Sequence, residues 1–125
     1  MMIRYRPGAA SFIAFCAAML GSCSYAAPDI TSVPANPSYA RDVRPLLADH
    51  CLLCHSSPPD RGAPRTFRLD VYSDTGQVAG AQSFAADVVA QVQSRHMPPG
   101  AKSGDGVGPN GQKLLESWLA AGAPP

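Results

Sequence analysis

The chain is poor in several things at once. It has four cysteines in 125 residues, and only two of them, Cys51 and Cys54, form a closely spaced pair. A scaffold stapled by several disulfides is therefore excluded. Charged residues make up 15% and the net charge is +1, so there is no basic surplus of the kind that marks a nucleic-acid binder. Aromatic residues are 7% and scattered. No apolar run is long enough to span a bilayer, and no internal repeat is visible. Thirteen prolines and eleven glycines promise many turns and little regular sheet. The length allows one domain.

The N-terminal residues read as a targeting segment. Arg4 and Arg6 precede the apolar run "AASFIAFCAAML", and small residues follow, the order of a secretory signal peptide rather than of a buried helix. Cys16 falls inside that run and goes with it. Two cleavage patterns compete. "SYA", residues 24–26, fits an ordinary signal peptidase and makes 1–26 the signal. "LGSC", residues 20–23, resembles a bacterial lipobox, which makes 1–22 the signal and Cys23 the lipidated first residue. Residues 27–38, with three prolines, read as a linker. The expected domain is 39–125, a size at which an apolar core alone is marginal and a bound cofactor would help.

Spacing predicts three helices. Tyr39, Val43, Leu46, Leu47 and His50 recur at three and four residues and lead into Cys51, with Ser38 as cap. Pro45 either kinks this helix or opens a shorter one. A second helix is expected from Ser83, as cap, to about Arg95, with Phe84, Val88 and Val92 on one face and an end near Met97 imposed by the prolines after it. The third is expected to be capped by Asn110, to carry Leu114, Leu115, Trp118 and Leu119, and to stop at Gly122 and Pro124. Residues 66–73, "TFRLDVYS", alternate but have no evident partner strand, so they read as an extended segment on the core.

The chemistry is concentrated in "DHCLLCH", residues 49–55. C-x-x-C-H is the attachment motif of c-type haem. Two thiols at this spacing suit the two vinyl groups of one porphyrin, so Cys51 and Cys54 are the candidate thioether residues. His55, next in the chain, is the candidate axial ligand. The rival readings are weaker. Structural zinc needs four protein ligands, and recruiting His50, His55 and His96 matches no familiar spacing. A thioredoxin-like dithiol needs a βαβ frame, which is absent. A Cys51–Cys54 disulfide would close a tiny loop and stabilise little.

Forty residues after His55 begins "RHMPPG", residues 95–100, which places a methionine forty-two residues after His55. Met97 is the only methionine outside the signal segment, in a loop stiffened by Pro98 and Pro99. Its thioether sulfur suits a second axial position, and a His/Met pair raises the reduction potential relative to bis-histidine. His96 is the competing ligand, and His50 reads as a surface or packing residue. Arg61, Arg65 and Arg68 either neutralise haem propionates, form a docking patch or lie solvated.

Residues 42–55 ("DVRPLLADHCLLCH"), 97–100 ("MPPG") and 114–123 ("LLESWLAAGA") together resemble small monohaem cytochromes c of the bacterial periplasm. The resemblance covers most of 39–125 and is least specific over 56–82. It implies an all-α cytochrome c fold of about three main helices around one covalent haem c, with the first and last helices crossing and Trp118 near that crossing or the haem. It implies axial ligation by His55 and Met97 and a one-electron carrier rather than an enzyme. The partners implied are redox proteins, a dehydrogenase or oxidase, with no nucleic acid, and with a membrane only through a lipid on Cys23. A ligand-sensing or catalytic haem domain with displaceable Met97, and a non-haem or zinc-binding lipoprotein, are the alternative functions.

Overall fold

The computed structural model describes residues 29–103 and 106–125. The expected signal segment and the candidate lipidation residue Cys23 lie outside the described residues. Among those residues the chain is all-α: α1 is Arg44–His50, α2 is Ala85–Gln93 and α3 is Gly108–Ala120. There is no strand among them, only isolated bridges pairing Phe67 with Ala79 and Thr75 with Val78. None of the described helices is long and apolar enough to cross a membrane.

Pro45 decides how the first helical stretch is built. A single wide turn, Tyr39–Val43, precedes α1, and the Arg44 N–H donates five residues back to the Tyr39 carbonyl. Such a turn makes room for the proline ring, and Pro45 then sits in the first turn of α1, where its missing N–H is harmless. Ser38 caps the stretch as expected: its Oγ accepts from the Arg41 N–H at 3.4 Å, and its own N–H donates to Asp42 Oδ2 at 2.8 Å.

The expected caps of the other two helices are corrected. Ser83 does not cap α2. Its hydroxyl donates to Asp74 Oδ1 at 2.7 Å, an atom that also accepts the Gly80 N–H at 2.8 Å, and no side chain caps Phe84 at the helix start. The helix ends at Gln93, and Arg95 follows in a left-handed conformation at φ +57°. Asn110 does not cap α3 but lies inside it, with Nδ2 donating to the Ile30 carbonyl at 2.9 Å. The capping acceptor is Asp29, eighty residues away in sequence, whose carboxylate takes the N–H groups of Asn110 and Gly111. The described part of the expected linker is thus tied to α3 through Asp29 and Ile30, and Ile30 and Val33 pack against the core. At its far end α3 stops as expected. Gly122 takes φ +84°, its N–H reaches the Leu119 carbonyl, and the Ala123 N–H reaches that of Trp118, a Schellman closure.

One apolar cluster joins Val43, Leu46 and Leu47 to Leu114, Leu115 and Trp118, with Val89 and Val92 from α2 and Leu69 from the extended segment. Gly111 of α3 lies close against Leu46 of α1: a Cβ there would lie 3.2 Å from Leu46 Cδ1. At the other end of α3 the C-terminal residues are tied back to the rest of the domain. Pro124 O accepts both the Tyr39 N–H (3.0 Å) and Trp118 Nε1 (2.8 Å), and Tyr72 donates its hydroxyl to Ala123 O (2.8 Å). This frame fixes the exit of α1, and with it the Cys-x-x-Cys-His turn.

Candidate functional site

The helix does not simply unravel after His50. Cys51 and Leu52 donate their N–H groups to the Leu47 carbonyl (2.7 and 2.9 Å), and Cys54 and His55 donate theirs to Cys51 O (3.1 and 2.9 Å). These consecutive tight turns put Cys51, Cys54 and His55 on the same wall. The carbonyl of Cys54 then accepts the Asp60 N–H at 3.1 Å and turns the chain back.

The opposite wall comes from the end of α2. The carbonyl of Gln91 accepts the N–H groups of both His96 (3.0 Å) and Met97 (3.2 Å), which carries the chain into Pro98 and Pro99. Between the walls is a cleft of about 880 Å³ lined by Cys51, Cys54, His55 and Met97, with Phe84 and Val88 from α2. That volume is in the range of cofactor clefts. The structure therefore brings together all four residues that the sequence singled out for the site.

It leaves others outside. His96 is exposed, with Nδ1 3.1 Å from Ser94 Oγ, and it does not line the cleft. Trp118 is buried in the core beside Tyr39, ring centroids 6.2 Å apart, and not on the cleft wall. The three arginines part company: Arg61 lines the cleft, Arg65 is exposed, and Arg68 is bound to the Asp70 carboxylate through Nε (2.9 Å) and Nη2. His50 also lines the cleft. Its place on the apolar face of α1 gave no sign of this. Phe67, Phe84 and Val88 were legible only as core residues, because helical periodicity does not separate a face that packs on protein from one that packs on a ligand.

The local chemistry favours coordination over thiol redox work. Burial, with a smaller contribution from Cys54, pushes the Cys51 thiol up to about 12, so it is protonated and a poor nucleophile. Both cysteines are free thiols. Burial also lowers the pKa of His55, which holds the imidazole neutral, the form that binds a metal. Its Nδ1 is buried with no hydrogen-bond partner among the described residues. A half-buried, neutral imidazole whose buried Nδ1 is uncommitted, lining a cleft shared with two thiols and a thioether, fits a haem of the c type. No group of three or more His, Cys, Asp or Glu side chains converges among the described residues as a zinc site would require. An iron already held in a porphyrin needs only two protein ligands. Comparison of the chain with family models, curated proteins and solved structures found no match.

Proposed function

We propose that the protein is a periplasmic one-electron carrier of cytochrome c type, with one haem attached through Cys51 and Cys54 and ligated by His55 and Met97. The observation that carries this reading is the shared cleft: residues up to forty-six positions apart in sequence line one cavity of about 880 Å³. Bound there, haem supplies an iron that cycles between the ferric and ferrous states. The chain's own residues do the rest. Cys51 and Cys54 would fix the group covalently, so retention would not depend on packing alone. His55 is offered neutral, and Met97 offers a soft sulfur that favours the reduced state. Phe67, Phe84, Val88 and Val92 keep the cleft largely apolar, which also favours the less charged, reduced form. With His55 and Met97 both holding the iron, the metal would offer no place to a substrate, hence a carrier rather than an enzyme. A dehydrogenase or oxidase is the class of partner such a carrier serves, and lipidation of Cys23 would hold it at a membrane.

The test is expression alongside a c-type maturation system. The chain should keep its haem through denaturing gel electrophoresis and show a sharp c-type spectrum on reduction. Release of all haem on denaturation would sink the proposal, as would haem that persists after Cys51→Ala and Cys54→Ala together.

One observation favours a second reading, in which Met97 yields its position to a diatomic ligand. Met97 is 38% exposed and also borders a second cavity of about 330 Å³ between α2 and the start of α3. Ready binding of carbon monoxide by the unmodified ferrous protein would select that reading over the carrier.

A further inference from the structure

The motif accounts for where His55 stands in the chain, but not for what fixes the plane of its ring. One segment, residues 66–69, holds His55 twice. Leu69 donates its N–H to the His55 carbonyl at 2.8 Å and so fixes the backbone. Phe67 lays its ring against the imidazole, with centroids 4.9 Å apart and planes 21° from parallel. Phe67 is backed in turn by Phe84, at 4.2 Å and 16°. Both phenylalanines are anchored through the main chain. Arg68 donates to Ala79 O and Ala79 donates to Thr66 O, each at 2.9 Å, while Phe84 donates to Gly80 O at 3.3 Å. Three rings thus form a stack from the exit of α1 to the start of α2.

The polar side of the same ring is empty of partners. Nδ1 of His55 is buried and takes part in no hydrogen bond among the described residues. A ligating histidine ordinarily donates its second N–H to a carbonyl or carboxylate, which sets the ring plane and strengthens the ligand as a donor. Here neither function is served that way.

We infer that Phe67, backed by Phe84, is the positioning residue for His55: ring stacking replaces the Nδ1 hydrogen bond, and the imidazole is left a weaker donor. The inference rests on the haem ligation proposed above. A weaker donor stabilises ferric iron less, so the stack holds the reduction potential up. It does so by excluding water from Nδ1 as well as by orienting the ring.

The experiment uses the haem-loaded protein and three variants. Phe67→Leu removes the flat ring at similar size, Phe67→Tyr keeps it, and Phe84→Leu removes only its backing. Each is checked for covalent haem on a denaturing gel, then read by potentiometric titration and by the ferric haem-methyl NMR shifts, which report the plane of the axial imidazole. Phe67→Leu should raise the oxidised-to-reduced ratio at fixed applied potential about tenfold, a fall of about 59 mV for a one-electron couple, as water reaches Nδ1. It should also redistribute the methyl shifts. Phe84→Leu should shift both readouts in the same direction by less, and Phe67→Tyr should leave them at the parental values. A Phe67→Leu protein that only melts earlier, with parental potential and methyl shifts, overturns the inference alone. So does a Phe67→Tyr protein that moves as far as Phe67→Leu. A parent chain without covalent haem overturns the proposed function and this inference together. If Phe67→Leu does not fold, unchanged readouts in Phe84→Leu are the overturning result.

Discussion

Asp29 closes the open end of α3 from outside the helix: Oδ1 accepts the Gly111 N–H at 3.0 Å and Oδ2 accepts that of Asn110 at 3.2 Å. A carboxylate there satisfies two of the unpaired amides of the first turn and complements the positive end of the helix dipole. It also restricts Gly108, which has φ +78° and leaves no room for a Cβ beside the Asp29 carboxylate. Asp29→Ala should therefore lower the stability of the domain by about 1 kcal/mol, the usual cost of a lost cap. Urea denaturation followed by helical circular dichroism measures this. A midpoint equal to the parent's would mean that the contact contributes nothing.

Gly111 should tolerate no large side chain. Leu46 and Val107 both stand 3.2 Å from where its Cβ would be. Gly111→Leu would force α1 and α3 apart, and overpacking of this kind costs about 1–3 kcal/mol. Thermal melts of variant and parent should separate clearly. Because α1 leads directly into Cys51, the variant should also take up haem less completely during maturation.

Asp70 carries a pH dependence of known sign. Hydrogen bonds from the Arg68 side chain hold its carboxyl below the usual range. Stability from this pair is fully present above the unfolded value of about 3.9 and is lost as pH falls through the lower folded value. Arg68→Met should therefore be less stable than the parent at neutral pH, by a small margin because solvent screens the pair. The gap should narrow below about pH 4. A gap of constant size from pH 7 to pH 3 would assign the loss to packing of the arginine stem.

Met97→Ala should leave haem attached, since Cys51, Cys54 and His55 are untouched. The near-red charge-transfer band of a ferric iron–methionine bond should disappear, the potential should fall, and carbon monoxide should bind more readily than to the parent. If the parent lacks that band and His96→Ala alters its spectrum instead, ligation is by two histidines. The structure gives His96 a different occupation, beside Ser94 and away from the cleft.

Much of this was legible from the sequence because the signals are local. The proposed attachment motif has a spacing that a porphyrin would impose, so Cys51, Cys54 and His55 stand out as candidates with no knowledge of the fold. Met97 stands out by scarcity, as the sole methionine after residue 19, and by its two prolines. The apolar stripes of α1 and α3 follow from helical periodicity, and Gly122 ends α3 as its left-handed preference requires.

What only the tertiary structure decided are pairings between distant residues. Ser83 and Asn110 are both good caps in isolation, yet Asp74 takes the first and Ile30 the second, because a partner already held in place by folding outcompetes a local turn. Asp29 could not have been read as the cap of a helix eighty residues away. Phe67 and Phe84 are ordinary apolar residues in sequence. They become a stack on His55 only because main-chain hydrogen bonds from Leu69 to His55 and from Arg68 to Ala79 fold the extended segment across the exit of α1. Spacing along the chain specifies chemistry that a few consecutive residues can complete. Where the completing atoms come from far away, the choice belongs to the packing of the whole chain.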